Sequence, residues 1–169
     1  MTSTITKLML ATAVLGLAAC AKKPPPQLPP PPPETTSTTD TTPAVPGNAP
    51  GSQADFVATV SSDRIYFETD SADVDPTDQA TLQSQAQWLA RYPNARVTIE
   101  GHADERGTRE YNLALGERRA NSTKNALAAI GVSADRITTI SYGKERPEGL
   151  GSDDESWSRN RRAVTVTVQ

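Results

Sequence analysis

The densest run of groups able to do chemistry is His102, Asp104, Glu105, Arg106 and Thr108, followed further along the chain by the adjacent Arg118 and Arg119. Asp104 and Glu105 are paired carboxylates, the residue types of glycoside hydrolysis. That chemistry needs two carboxylates about 5 Å or more apart, approaching one bond from opposed sides. Neighbours in a short loop do not present themselves that way, so a hydrolase using this pair is the weaker alternative. His102 is the single histidine and Cys20 the single cysteine. A histidine-based zinc site or a catalytic triad therefore has almost nothing to draw on, an internal disulfide is excluded, and neither metal nor cofactor is expected. What Asp104 and Arg119 can do is stand side by side as anion and cation. Such a site suits a zwitterionic ligand with an ammonium beside a carboxylate. The same two residues can also close on each other as a structural ion pair, and on the residues alone both readings stay open.

These groups need elements to hold them. Arg64 to Glu68 predicts a strand, and Asp75 followed by Pro76 predicts an N-cap with proline at the first helical position. The helix then runs to Tyr92, where Pro93 stops it, with Leu82, Ala86 and Leu89 on its buried face. Arg96 to Gly101 alternates Val97 and Ile99 inward as a half-buried strand, and a polar loop follows from His102 to Thr108. A second helix is expected over about residues 110–130, capped by Gly131. Ile137 to Tyr142 and Ala163 to Val168 read as strands, with Gly143 to Asn160 a loop containing one helical turn near Ser156. The order implies an α+β two-layer sandwich, a four-stranded sheet with helices on one face. On a helical wheel, Leu113, Gly116, Ala120, Thr123, Leu127 and Ile130 form the expected core stripe of the second helix. Asn112, Leu115 and Arg119 lie on the neighbouring stripe, at the border of the core and against the preceding loop. Arg118 points away into solvent.

Composition divides the rest of the chain. Of 169 residues, 36% are hydrophobic, and all eight aromatic residues lie between Phe56 and Trp157, whereas eleven of fourteen prolines lie between Pro24 and Pro50. Only the second part can fold. Residues 55–169 form one domain, large enough to bury about two thirds of its unfolded surface. Residues 20–54, with eight prolines between Pro24 and Pro33 and a Thr-rich stretch after them, read as a tether too polar to offset its ordering entropy. The net charge of −3 lacks the basic footprint of a phosphate-backbone binder, so no nucleic-acid partner is expected. Residues 1–19 place Lys7 before an apolar run from Leu8 to Ala19, which is too short to span a bilayer core of about 20 residues and fits a secretory leader. Leu17, Ala18, Ala19 and Cys20 resemble the lipobox of bacterial lipoprotein precursors. The resemblance implies an acylated Cys20 as mature N-terminus, and Ala21 in place of aspartate implies the outer membrane.

The stretch GHADERGTREYNLALGERRAN, from Gly101 to Asn121, resembles the OmpA-like peptidoglycan-binding domain and, within that family, the branch of peptidoglycan-associated lipoproteins. Similarity extends from IYF through GVSADRI, SYGKERP and LG to NRRAV, nearly all of residues 64–168. It implies a mixed four-stranded sheet and non-covalent, non-catalytic binding of the diaminopimelate of the peptidoglycan stem peptide. It further implies that Asp104 and Arg119 hold the amino and carboxylate ends, that Leu115 and Thr108 line the pocket, and that Asp70 is a further contact. Thr69 departs from the family, which often carries an aromatic there. The resemblance also implies partnership with the Tol system proteins TolB and TolA in envelope integrity and cell division, with the lipid anchor in the outer membrane and the domain facing the periplasm. Asn160, Arg161 and Arg162 are either a solvated basic cluster or a brace near the ligand loop, and Trp157 reads as an anchor for the long loop.

No other segment is long and apolar enough to hold a bilayer, so Cys20→Ser is expected to leave a soluble or uncleaved precursor. Fractionation of cells checks it: recovery of the variant in outer membranes stripped of peptidoglycan would contradict the lipoprotein reading.

Overall fold

Val97 and Ile99 alternate with Thr98 and Glu100, and the strand they make, β2 (Arg96–His102), lies inside the sheet. The computed structural model describes residues 49–168. The leader, the Cys20 lipidation site and most of the tether lie outside the described residues. The described elements run α1 (Gln53–Thr59), β1 (Arg64–Tyr66), α2 (Pro76–Arg91), β2, α3 (Arg109–Ala129), a 3-10 turn (Ala134–Arg136), β3 (Ile137–Gly143), α4 (Asp154–Asn160) and β4 (Arg162–Val168). The sheet order is β1-β4-β2-β3. β2 pairs with β3 in parallel, and β4 is antiparallel to both β1 and β2, so the sheet is mixed. Register aligns Ile65 with Ala163 and Ala163 with Gly101. These residues, with Val97, Ile99 and Ile137, form the floor onto which Leu82, Leu89, Ala120 and Leu127 pack. The opposite face stays partly exposed at Ile140 and Val168.

Local chemistry explains the boundaries of the helices. Asp75 accepts a hydrogen bond from Thr77 N at 2.8 Å and Pro76 opens α2, as the sequence predicts, and Leu82, Ala86 and Leu89 are buried with Trp88 and Gln85. Gln85 is a polar clasp in the core: its Nε2 donates to Ser62 O, and its Oε1 accepts from Thr165 Oγ1. α1 begins ahead of the expected domain boundary at residue 55. Ser52 caps it, and Phe56 packs edge-on against Trp88 with ring centroids 4.9 Å apart. Its Gln53 Oε1 also accepts from Thr167 N, at the end of β4 that short β1 does not cover. α4 is longer than the single turn expected, because Asp153 caps it by accepting from Ser156 N while Asp154 and Glu155 favour the positive end of the helix dipole.

The expected phase of α3 is corrected. Its buried residues are Asn112, Leu115, Gly116, Arg119, Ala120, Thr123 and Leu127, whereas Leu113 is half-buried and Ile130 is exposed. The helix has two partners, the sheet and the loop after β1, so the buried arc widens to include the stripe of Asn112, Leu115 and Arg119. Close approach to β2 depends on two facing glycines. A Cβ at Gly101 would collide with the Gly116 carbonyl, coming within 2.6 Å of its carbon. Backbone cannot yield as a flexible side chain can, so Gly101→Ala is expected to destabilise the domain by more than about 2 kcal/mol. A denaturant titration showing parental stability would contradict this account of how α3 seats on the sheet.

Candidate functional site

The chain leaves β1 and β2 at the same end of the sheet, and the two loops that follow meet over the first turns of α3. Thr108 makes the start of α3 definite: its Oγ1 accepts from Tyr111 N at 3.2 Å. Gly107, with φ +88°, lets the preceding loop turn into that cap. Lys144 Nζ pins the loop from outside by donating to Glu105 O and Gly107 O. A cavity of about 280 Å³ opens between the loops. Thr69 and Asp70 line one side, Asp104, Arg106 and Gly107 the other, and Tyr111, Asn112 and Leu115 rise from α3. A larger groove of about 720 Å³ lies across the β1–α2 loop, between that loop and α4. Asp104 opens onto the smaller cavity and not onto the groove.

Asp104 is nearly buried, and its charge is met from two sides. Its Oδ1 accepts from the backbone N and the Nε of Arg106, both at 3.1 Å, and its Oδ2 accepts from Arg106 Nη2 at 2.7 Å. Arg161 Nη1 stands 3.7 Å from Oδ2. Burial opposes ionisation of Asp104, but the hydrogen bonds from Arg106 outweigh it and hold the carboxyl below its usual value. The Arg106 guanidinium also stacks over Trp157, 4.3 Å from the ring centroid, while Trp157 Nε1 donates to Glu105 Oε1. Trp157 therefore ties α4 to the site loop, the anchoring role expected of it. Asp70 adopts φ +56°, a left-handed conformation that aspartate tolerates better than most residues, and its Oδ1 faces Tyr111 Oη at 3.4 Å.

Arg119 lies deeper than its expected place at the core border. It has no exposed surface. Its Nε donates to Ser71 O at 2.8 Å, Nη1 to His102 O at 2.8 Å and Nη2 to Glu68 O at 3.0 Å, with Phe67 packed against the guanidinium. Burial, reinforced by Arg161, pulls its pKa down to about 10, and it remains a cation at neutral pH. Among the described residues Asp104 makes its ion pairs with Arg106 and Arg161, so the pairing of Asp104 with Arg119 does not form. Of the residues expected at the site, Asp70, Asp104 and Leu115 line the cavity, Thr108 caps the helix beside it, and Arg119 lies outside its lining and ties both loops to α3.

Sequence reasoning named Arg106 in the loop but gave it no role in the site, and did not single out Tyr111 or Asn112. The only signal for Asn112 was its place on one stripe with Leu115 and Arg119; its Nδ2 donates to Arg106 O and fixes the loop. Of the two readings of Asn160, Arg161 and Arg162, the brace describes the structure. Asn160 holds Glu148 N and Gly149 N and O, Arg161 Nε donates to Phe67 O, and Arg162 Nη2 donates to Arg146 O. His102 is buried off the site beside Tyr142, and burial, with Arg162, Arg146 and Arg64 nearby, lowers its pKa to about 3, so it is neutral. Removing Arg119 strands three carbonyls, so Arg119→Ala is expected to cost more than about 3 kcal/mol, whereas exposed Arg118→Ala changes stability by less than about 0.5 kcal/mol. Thermal melts of the two variants check the assignment, and equal melting would contradict it.

Comparison with known proteins agrees with this fold. The model of the OmpA family matches residues 66–161. The peptidoglycan-associated lipoprotein of Agrobacterium fabrum is 62% identical over 117 residues, covering 69% of this chain and 66% of that protein, just under two thirds of its length. That of Brucella melitensis is 59% identical, covering 69% of each chain. The crystal structure of the peptidoglycan-associated lipoprotein from Burkholderia pseudomallei superposes with a TM-score of 0.63 at 42% identity, covering 68% of this chain and all of that one. The C-terminal domain of Helicobacter pylori MotB, at 19% identity and a TM-score of 0.59, shares the fold. With its mixed sheet, its loop–helix site and these relatives, the chain belongs to the OmpA family.

Proposed function

We propose that this chain is an outer-membrane lipoprotein that grips peptidoglycan without catalysis, through the diaminopimelate of the stem peptide. The observation that carries the reading is the cavity in which Asp70 and Asp104 converge above the apolar side of Leu115. An ammonium entering it meets the Asp70 carboxylate and that of Asp104, which it shares with Arg106, and the methylene chain behind that ammonium meets Leu115. The buried positive charge of Arg119 lies behind the loops that carry both acids, where its field favours an accompanying carboxylate. The names of the relatives, peptidoglycan-associated lipoproteins, support peptidoglycan as the partner. Acylation at Cys20 supplies the membrane anchor, and the tether gives the domain its reach to the wall. Exchange between the wall and the Tol proteins TolB and TolA completes the proposed role in envelope integrity and cell division.

A hydrolase is a poorer fit to the site. A general acid needs a carboxyl raised towards neutrality. Asp104 and Glu105 are both held below their usual values, and Glu105 is turned to Trp157. The protein is expected to sediment with sacculi that contain diaminopimelate and to release no soluble fragments, and to bind sacculi with lysine at that position at least roughly tenfold less. Asp104→Ala should lose binding to a similar degree. Equal sedimentation of parent and Asp104→Ala would remove this site from the proposal, and release of muropeptides would replace binding with catalysis.

A further inference from the structure

The tether joins the domain through Gly51 and Ser52, which lead directly into α1. α1 lies at the end of the sheet away from the site. Its Gln53 accepts from Thr167 N, and Thr167 pairs with Val97 near the start of β2, whereas the site loops leave the opposite ends of β1 and β2. Tension between a membrane anchor and a gripped wall therefore runs lengthwise through the sheet and meets α1 first. The helix is lightly held for that position. Phe56 is its one buried residue, set edge-on against Trp88. Its polar ties are Asp55 Oδ2, which accepts from Trp88 Nε1 at 3.0 Å and from Gly51 N at 3.1 Å, and Gln53 Oε1, which accepts from Thr167 N at 2.7 Å. The chain beyond adds buried Val60 and a bond from Ser61 N to Ser84 Oγ. A helix of seven residues that includes β-branched Val57 and Thr59 does not stay helical once those contacts open, since isolated helices need about 12–15 residues.

At Ser62 the hold changes. Ser62 O accepts from buried Gln85, Asp63 O accepts from Thr165 N, and Arg64–Tyr66 pairs with Arg162–Val164. Tension along β1 loads these bonds side by side, in shear, so they must break together. α1 is pulled from its N-terminal end, and its contacts yield one after another. Resting on the reading of the chain as a wall-gripping lipoprotein, we propose that α1 is a tension-released strap: when membrane and wall draw apart it peels from the domain ahead of the sheet, lengthens the tether, and docks again when tension falls. Release of Gln53–Ser61 adds at most about 30 Å of extended chain. The ties of α1 run to Trp88 and Thr167, whereas the cavity is held by Arg106, Arg119 and Arg161, so the strap opens as a local unit and leaves the site assembled.

The test pulls single molecules of the full chain carrying Cys20→Ser, with handles on cysteines introduced by Thr42→Cys in the tether and Glu110→Cys in the exposed first turn of α3. A force ramp is expected to give two events: a reversible lengthening of no more than about 30 Å at lower force, then loss of the sheet in a step several times longer. Asp55→Ala and Phe56→Leu, each weakening one tie of α1, should lower the force of the first event and leave the second unchanged. Without handles, both variants should sediment with sacculi like the parent. A single event in which α1 and the sheet are lost together would overturn the strap, and so would variants that lower the second event but not the first. Failure of the parent itself to sediment with sacculi would instead overturn the wall-gripping reading, an outcome read separately from the force trace.

Discussion

One buried guanidinium holds the working end of this domain together. Arg119 donates to carbonyls of Glu68 and Ser71 after β1 and of His102 at the end of β2, while its own backbone belongs to α3. Three separate segments are thereby fixed to one planar group. The cost of burying the charge is offset by carbonyl dipoles in good geometry, and the charges of Asp104 and Asp70 add to them without a direct ion pair. That choice has a functional consequence. Because Arg119 makes no ion pair with either nearby carboxylate, Asp70 and Asp104 face the cavity, one opposite the Tyr111 hydroxyl and the other paired to Arg106.

The close seat of α3 on β2 is the second constraint, and it depends on having no side chain at Gly101 or Gly116. With the helix lowered onto the sheet, Leu115 reaches the cavity from beneath, and Thr108 places the start of α3 beside the loop carrying Asp104. A third layer of support comes from the other end of the chain. α4 and its C-cap present Trp157, Asn160 and Arg161, which hold, in turn, Glu105, the loop at Glu148 and Gly149, and Phe67. The site is thus assembled from segments far apart in sequence, each rigid for a separate local reason.

Much of this was legible before any coordinates. Asp75–Pro76 and Pro93 delimit α2 by mechanisms that act within a few residues, and the alternation of Val97 with Ile99 and of Val164 with Val166 reports strands directly. Features that depend on distant partners were not legible. α1 hides in a Pro-, Gly- and Ser-rich stretch, its one cue being Ser52 three residues before Asp55 and next to buried Phe56. The phase of α3 was misread because Asn112 and Arg119 are polar, and hydropathy cannot report that backbone carbonyls and loop donors await them. Arg106 looked like one more loop charge, since its fork on Asp104 and its stack on Trp157 join segments some fifty residues apart.

The central claim is that recognition happens in the cavity between the β1 and β2 loops and nowhere else on the domain. A titration of isotopically labelled protein with a soluble stem peptide carrying diaminopimelate, followed by amide chemical shifts, tests it most directly. The account predicts saturable shifts at Thr69, Asp70, Asp104 to Gly107 and Tyr111 to Leu115, with the exposed sheet face at Thr98, Ile140 and Val166 unchanged. Shifts centred on that open face, or on the groove between the β1–α2 loop and α4, would contradict it.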